Sequence, residues 1–280
     1  MNQLYGYDAF SPKEIAERVQ TIGVAKARMP FVQTAMLGIL AGVFISLGSI
    51  FFVTILSDSQ LHFGVARLLG GLAFSLGLVM VVIAGAELFT GNNLIIMALA
   101  DKRITVWDVL RNWGIVAVSN LVGAVGISLL LVLSKQYEIN NGAVGDLYLK
   151  IAATKCSISV QQAFFSGVFC NIYVCLAVWM AQAGRSVFDK VVVILFPVTA
   201  FVASGFEHSI ANMFFISMGL FLKTVYPVSG YTDAISVVGM CTNLIPVIAG
   251  NLVGGSMFVG LVYYLIYGRT NNSNEHQDSR

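Results

Sequence analysis

Charged residues are scarce in this sequence: they make up 11% of its 280 residues, whereas hydrophobic residues make up 57%. An ordinary globular protein carries about 25% charged residues. A soluble protein of this length needs more charge to cover its surface, and a disordered chain with so much apolar surface would collapse. The net charge of +2 gives no electrostatic footprint for a nucleic-acid partner. A polytopic integral membrane protein is the class that remains.

Cysteine and histidine are also too few for several classes of protein. The four cysteines show no CxxC spacing, which argues against a disulfide scaffold. A membrane subunit of a redox enzyme would need histidine pairs for haem or cysteine clusters for iron–sulfur groups. Of the three histidines, only His208 falls within a long apolar segment. We therefore expect no metal, no cofactor and no enzymatic activity.

Stretches with little charge locate six membrane segments, because a hydrocarbon core of about 30 Å takes roughly 20 helical residues. Four of the six carry no charge, and the second and fifth each carry a single glutamate, Glu87 and Glu207. The predicted segments are Met29–Ser57, Leu68–Ala100, Asn112–Ser134, Ser157–Gly184, Val191–Leu222 and Ala234–Gly268.

Polar sequence flanks this six-span channel domain, which covers residues 29–268. Residues 1–28 predict an amphipathic helix, with a capping box at Ser11 and Glu14. Residues 269–280 predict a disordered tail. With the N-terminus inside, eleven of the sixteen Lys and Arg residues fall on the inner side. The positive-inside rule then places both termini in the cytoplasm, and we expect a multi-pass protein of the bacterial inner membrane.

The second and fifth segments are too long for single straight spans. Each has more than 30 residues, so a straight helix would run roughly 50 Å. A carboxylate facing lipid at mid-depth is costly, so we predict that both helices are broken mid-membrane, near Glu87 and Glu207. Thr90 and Ser209 are the expected N-caps of the half-helices that follow. The positive dipole ends of those half-helices would attract a small anion.

The two halves of the chain repeat each other. Three matched pairs in the same order indicate a duplicated three-helix unit, and three spans per unit turn the second copy upside down. The fold class is therefore all-α, with six transmembrane segments in an inverted 3+3 repeat. The matched motifs are Glu-x4-Asn at Glu87 and Glu207, Asn-x7-Asn-Leu-Val-Gly at Asn112 and Asn243, and Gly-Val-Phe at Gly42 and Gly167.

These motifs resemble those of the formate/nitrite transporter family. The likeness rests on the loops at 87–92 and 205–212 and on the asparagines of segment three, and it covers nearly the whole chain. It implies an aquaporin-like fold, a homopentamer with one pore per protomer, and passage of formate or other small monovalent anions across the lipid bilayer. A nitrite or hydrosulfide channel of the same family and a proton-coupled secondary transporter are the alternatives.

The resemblance also implies which residues line the pathway. His208 matches the pore histidine, Thr90 the loop threonine facing it, and Lys155 a basic residue near the outer vestibule. The residues implied for the constrictions are Leu78, Phe89, Asn171 and Val174 on the cytoplasmic side, and Phe74, Leu88 and Phe201 on the periplasmic side.

Several roles stay open from sequence alone. His208 would supply the anion with either a proton or a hydrogen bond. We expect Glu87 and Glu207, with Asn92 and Asn212 five residues later, to have structural roles in the two loops. The helix at residues 1–28 is either a gate below the pore or a helix that packs at the membrane surface or between subunits.

Overall fold

The computed structural model describes residues 9–57, 60–226 and 232–268, and these ranges contain ten α-helices. The predicted tail at 269–280 and the first eight residues of the predicted N-terminal helix lie outside the described residues. The helices are α1 (Pro12–Arg28), α2 (Phe31–Leu56), α3 (Phe63–Ala84), α4 (Ile96–Ala100), α5 (Val106–Leu133), α6 (Ala143–Ser157), α7 (Val160–Ala181), α8 (Val187–Ser204), α9 (Ser209–Val225) and α10 (Val237–Leu252).

Six helices in the described ranges are long and apolar enough to cross a membrane, which confirms the predicted number. These are α2, α3, α5, α7, α8 and the last one, in which α10 continues with π-helical geometry to Gly268. A 3₁₀ turn, Gly91–Ile95, leads directly into the short α4.

The N-terminal helix α1 begins as the sequence predicts. The Ser11 hydroxyl accepts a hydrogen bond from the Glu14 backbone N–H, and the Glu14 carboxylate accepts one from the Ser11 N–H at 2.8 Å. Ile15 and Val19 are buried in a cluster with Leu94 and Met97. Helix α1 is thus packed onto the Gly91–Ala100 stretch.

Both predicted interruptions are present, and glycine makes each one. Gly85 and Gly205 end α3 and α8 with φ of 82° and 77°, a left-handed conformation that suits glycine. Helices α3 and α8 have 22 and 18 residues and, at 1.5 Å per residue, are themselves about long enough to cross.

The position of the breaks follows from the antiparallel packing of α3 against α8. Gly71 lies against Thr199, and the Arg67 Nε donates to the Ala203 carbonyl at 2.8 Å. The end of each helix is therefore level with the start of the other. The breaks that the sequence predicts near Glu87 and Glu207 are therefore present, at opposite ends of the α3–α8 pair.

The inverted repeat is extended by a helix that the sequence did not predict. Helix α6 precedes the first span of the second half and packs on α9, as α1 precedes the first span of the first half and packs on Gly91–Ile95. Lys26 in α1 and Lys155 in α6 occupy matching positions, twelve residues before Gly38 and Gly167. Each repeat therefore begins with one helix that precedes its first span.

Candidate functional site

The loops that follow Gly85 and Gly205 meet at a hydrogen bond between Thr90 and His208. The Thr90 Oγ1 and the His208 Nε2 are 3.0 Å apart, and both residues are buried. The Ala211 backbone N–H donates to the His208 Nδ1 at 3.1 Å. A backbone N–H donates only to an unprotonated ring nitrogen. The ring proton is therefore on Nε2, and His208 donates to the Thr90 hydroxyl.

This arrangement corrects the predicted helix caps. His208, and not Ser209, caps α9, because its ring accepts the Ala211 N–H. The Ser209 hydroxyl is buried and has no hydrogen-bond partner. Thr90 precedes the 3₁₀ turn but accepts no capping bond, since its hydroxyl is engaged by His208. An imidazole has the acceptor that a cap needs, but histidine is not among the favoured N-cap residues.

Aromatic rings enclose His208. The Phe201 ring stacks on the imidazole at a centroid distance of 5.9 Å, and the Phe74 ring meets it edge-on at 6.4 Å. Phe74 and Phe201 also contact each other at 5.9 Å. The histidine therefore lies in an apolar setting in which each hydrogen bond is electrostatically stronger than in water.

A polar quartet holds the first loop on the side of α1. The Lys26 ammonium donates to Glu87 at 2.7 Å and to the side-chain amide oxygen of Asn92 at 2.9 Å. Asn92 in turn donates to Glu87 and to Asn112, and Asn112 donates to the Lys26 backbone carbonyl. The buried carboxylate is thus paired and hydrogen-bonded, as burial of a charge requires.

A matching quartet holds the second loop on the side of α6. The Lys155 ammonium donates to both oxygens of Glu207, at 3.0 and 3.1 Å. Asn212 donates to Glu207 and to Asn243, and Asn243 donates to the Lys155 backbone carbonyl. Each quartet thus consists of one lysine, one glutamate and two asparagines. The inverted repeat therefore extends to individual side chains.

Two further asparagines fix the loop backbones. Asn120 donates to the carbonyls of Gly38 and Glu87, and its oxygen accepts from the Phe89 N–H at 3.0 Å. Asn251 makes the same three bonds with Gly167, Glu207 and Ser209. The structural counterpart of Gly167 is therefore Gly38. The sequence pairing of Gly42 with Gly167 was wrong by four residues, about one helical turn.

A cavity lies on each side of the Thr90–His208 contact. The α1-side cavity is about 280 Å³ and is lined by residues that include Lys26, Glu87, Leu78 and Leu88. The α6-side cavity is about 320 Å³ and is lined by residues that include His208, Phe74, Phe201, Lys155 and Glu207.

The predicted constriction residues divide between the cavity walls and the packed region. Leu88 lines the α1-side cavity with Leu78, and not the α6-side cavity where Phe74 and Phe201 lie. Phe89 and Val174 are buried and line neither cavity. Asn171 is also buried, and it donates to the Thr90 carbonyl at 3.2 Å and to Asn251. It therefore holds the Thr90 loop in place.

Three cations on the cavity walls, Lys26, Arg67 and Lys150, were not predicted as site residues. Lys26 was assigned only to the N-terminal helix, although its spacing from Gly38 equals that of Lys155 from Gly167. Arg67 lies near the start of α3, and nothing in the sequence marks it as more than a residue at a membrane boundary. It lines the α6-side cavity together with Lys150.

The fold and the site define a polytopic helical membrane protein with an inverted repeat and paired cavities that approach a central histidine. Residues 13–265 match the family model for formate/nitrite transporters. The chain belongs to this family.

Characterised relatives support the assignment. The formate channel FocA of Escherichia coli strain K12 is 42% identical over 95% of this chain and 97% of its own length. The formate channel FocA of Haemophilus influenzae is 38% identical over 93% of this chain and 95% of its own.

Solved structures support the fold. A structure described as a pentameric formate channel with formate bound has a TM-score of 0.80 and 40% identity, covering 85% of this chain and 97% of that one. A structure described as an FNT family ion channel has a TM-score of 0.80 and 28% identity, covering 90% of this chain and 98% of that one.

Proposed function

We propose that this protein is a homopentameric channel that passes formate across the bacterial inner membrane, with both termini in the cytoplasm. The relatives described as formate channels support the substrate, and the formate-bound pentamer supports the assembly. In this orientation the α1-side cavity opens to the cytoplasm, and the α6-side cavity opens to the periplasm.

The observation that carries the mechanism is the directed chain of hydrogen bonds from Ala211 through His208 to Thr90. The Ala211 N–H donates to Nδ1, and the Nε2–H donates to the Thr90 oxygen. The hydroxyl proton of Thr90 is then free to donate to an anion. Donors linked in such a chain polarise one another, so Thr90 is a stronger donor than an isolated threonine.

Passage needs such a donor because the centre is apolar. A small carboxylic acid has a pKa of about 4, by analogy with aspartate, so the substrate is an anion at neutral pH. A bare carboxylate against phenylalanine and leucine side chains has a large desolvation cost unless it is hydrogen-bonded. We infer that Thr90 and His208 offset this cost by hydrogen bonding, with His208 neutral throughout.

Matched threonine variants test the proposal. Purified protein in liposomes should admit formate down its gradient without an imposed proton gradient. Thr90→Val removes the hydroxyl at nearly constant volume, and we expect formate flux to fall at least about tenfold, as for one lost donor to a buried charge. Thr90→Ser keeps the hydroxyl and should retain most of the flux.

The outcomes separate the alternatives. Equal flux in Thr90→Val and the wild type would contradict the donor role. Flux that appears only with an imposed proton gradient would indicate a coupled transporter. Faster passage of nitrite or hydrosulfide than of formate would change the substrate. A native mass close to five times 30.1 kDa checks the assembly.

A further inference from the structure

We propose that Arg67 forms a carboxylate-capture site in the α6-side cavity and makes the two mouths of the pathway electrostatically unequal. This inference rests on the proposed function, because formate is the carboxylate that would occupy the site. Among the described residues that line the α1-side cavity, Lys26 is the only cation, and it is paired with Glu87.

Arg67 lines the cavity, and among the described residues its hydrogen bond is made by Nε and not by the terminal nitrogens. Its Nε donates to the Ala203 carbonyl at 2.8 Å, and this bond fixes the guanidinium against the end of α8. Within the described ranges the three ion pairs are Lys26–Glu87, Lys135–Glu138 and Lys155–Glu207, and Arg67 is in none of them. Its two terminal amino groups therefore remain to bind the two oxygens of one carboxylate, the geometry that guanidinium favours.

Gly205 makes room for this guanidinium. A Cβ atom on Gly205 would lie 2.6 Å from the Arg67 Nη2. The glycine that turns the chain at the end of α8 thus also lets the arginine lie over the loop that leads to His208. Arg67 and His208 line the same cavity.

The charges on the two cavity walls differ. The α6-side cavity is lined by Arg67, Lys150 and Lys155 against Glu207, whereas the α1-side cavity is lined by Lys26 against Glu87. Each glutamate is paired with its lysine. Arg67 and Lys150 are thus two cations in excess at one mouth. The repeat places Val187 at the position that matches Arg67, since the two breaks are 120 residues apart.

Charge of one sign in a concave surface raises the local concentration of the opposite ion. An anion should therefore saturate the α6-side mouth at a lower concentration than the α1-side mouth. The maximal rate is limited by the central contact and should depend little on Arg67.

Initial rates of formate influx from each side test this predicted difference between the two mouths. Right-side-out and inside-out membrane vesicles that contain the full chain present the two mouths separately. For Arg67→Gln we expect the half-saturating formate concentration from the α6 side to rise roughly three- to fivefold, as for one partly exposed ion pair. From the α1 side it should stay unchanged. Arg67→Lys keeps the charge, and its half-saturating formate concentration from the α6 side should lie between those of the wild type and Arg67→Gln.

Salt dependence separates charge from structure. At about 1 M salt the Debye length is about 3 Å, and the difference between Arg67→Gln and the wild type should largely disappear. Arg111→Gln is the matched control, since Arg111 also donates to a backbone carbonyl, that of Met29, but lines neither cavity. It should leave the half-saturation on the α6 side unchanged.

Two results would overturn the capture site, and neither is the failure of the proposed function. A lower maximal rate from both sides with unchanged half-saturation would mean that Arg67 only caps α8. An unchanged half-saturation from the α6 side in an active Arg67→Gln channel would mean that no carboxylate binds there. A wild-type protein that passes no formate would instead contradict the proposed function.

Discussion

At the scale of single residues, the ring of His208 has two separable duties. It caps α9 through Nδ1 and donates to Thr90 through Nε2. Asparagine is a favoured N-cap but lacks the second nitrogen of the imidazole. We therefore expect His208→Asn to unfold at a higher temperature than His208→Phe, by a difference worth about 1 kcal/mol.

Formate flux should fall in both variants, because phenylalanine has no donor and the amide of asparagine is too short to reach Thr90 as Nε2 does. Thermal unfolding in detergent and liposome flux measure the two duties independently. Equal stability of the two variants would argue against the capping role, and undiminished flux in His208→Asn would argue against the donor role.

The pairing of Lys26 with Glu87 gives a second prediction at this scale. The side chain of Glu87 is only 6% exposed, so Lys26→Met leaves a buried carboxylate without its cation. We expect a loss of about 3 kcal/mol in the free energy of unfolding, as for other broken buried pairs.

The double variant Lys26→Met with Glu87→Gln serves as the control. It removes both charges, and it should recover at least about half of that loss because no charge remains unpaired. Denaturant titration measures both variants. A double variant less stable than Lys26→Met alone would show that the pair is not the source of the effect.

At the scale of elements, the beginning of α1 should depend on pH. Hydrogen bonds from the Ser11 hydroxyl and backbone N–H hold the pKa of Glu14 below its ordinary value of about 4.5. The capping stabilisation is therefore fully present above that ordinary value, and it is lost as the pH falls through the lower value in the folded protein.

Hydrogen exchange of the first-turn amides of α1 checks this. Their protection factors should fall in acid for the wild type, while Glu14→Gln, whose side chain has no carboxylate to titrate, should show no such step. The later turns of α1, held by Lys26 and by the cluster around Val19, should stay protected. Loss of protection along the whole helix at once would contradict a local cap.

The sequence predicted the elements better than it predicted how they pack on one another. The six spans, the two breaks and the repeat follow from stretches with little charge and from matched motifs. Both are local features of the sequence. The register of α3 along α8 could not be predicted, because it depends on contacts between residues far apart in the sequence. That register is set by close contacts such as Gly71 against Thr199.

The candidate site was predictable where the repeat or the family pattern marks it. Glu87, Glu207 and His208 stand out as rare ionisable residues in apolar segments. Arg67 does not, since any cation near a span end has an ordinary explanation. Helix α6 was missed because its charges, Asp146, Lys150 and Lys155, resemble those of a loop.

At the scale of the whole molecule, the orientation can be tested directly. Arg103 lies between α4 and α5 on the side of α1, Glu138 lies before α6, and both are exposed. In a background with the exposed Cys241 replaced by serine, a membrane-impermeant maleimide applied to intact cells should label Glu138→Cys but not Arg103→Cys.

Permeabilised cells supply the control, because both positions should then react. The physical reason is the excess of Lys and Arg on the side of α1, which the insertion machinery retains in the cytoplasm. Labelling of Arg103→Cys in intact cells would reverse the orientation, and with it the assignment of the two cavities to periplasm and cytoplasm.

The two quartets also bear on the order in which the protein is made. Each quartet draws all its members from one half of the chain, Lys26 to Asn112 and Lys155 to Asn243. The first loop can therefore be secured while the ribosome is still translating the second half. The Thr90–His208 bond needs both halves, so this contact forms only after a nascent chain has delivered both loops.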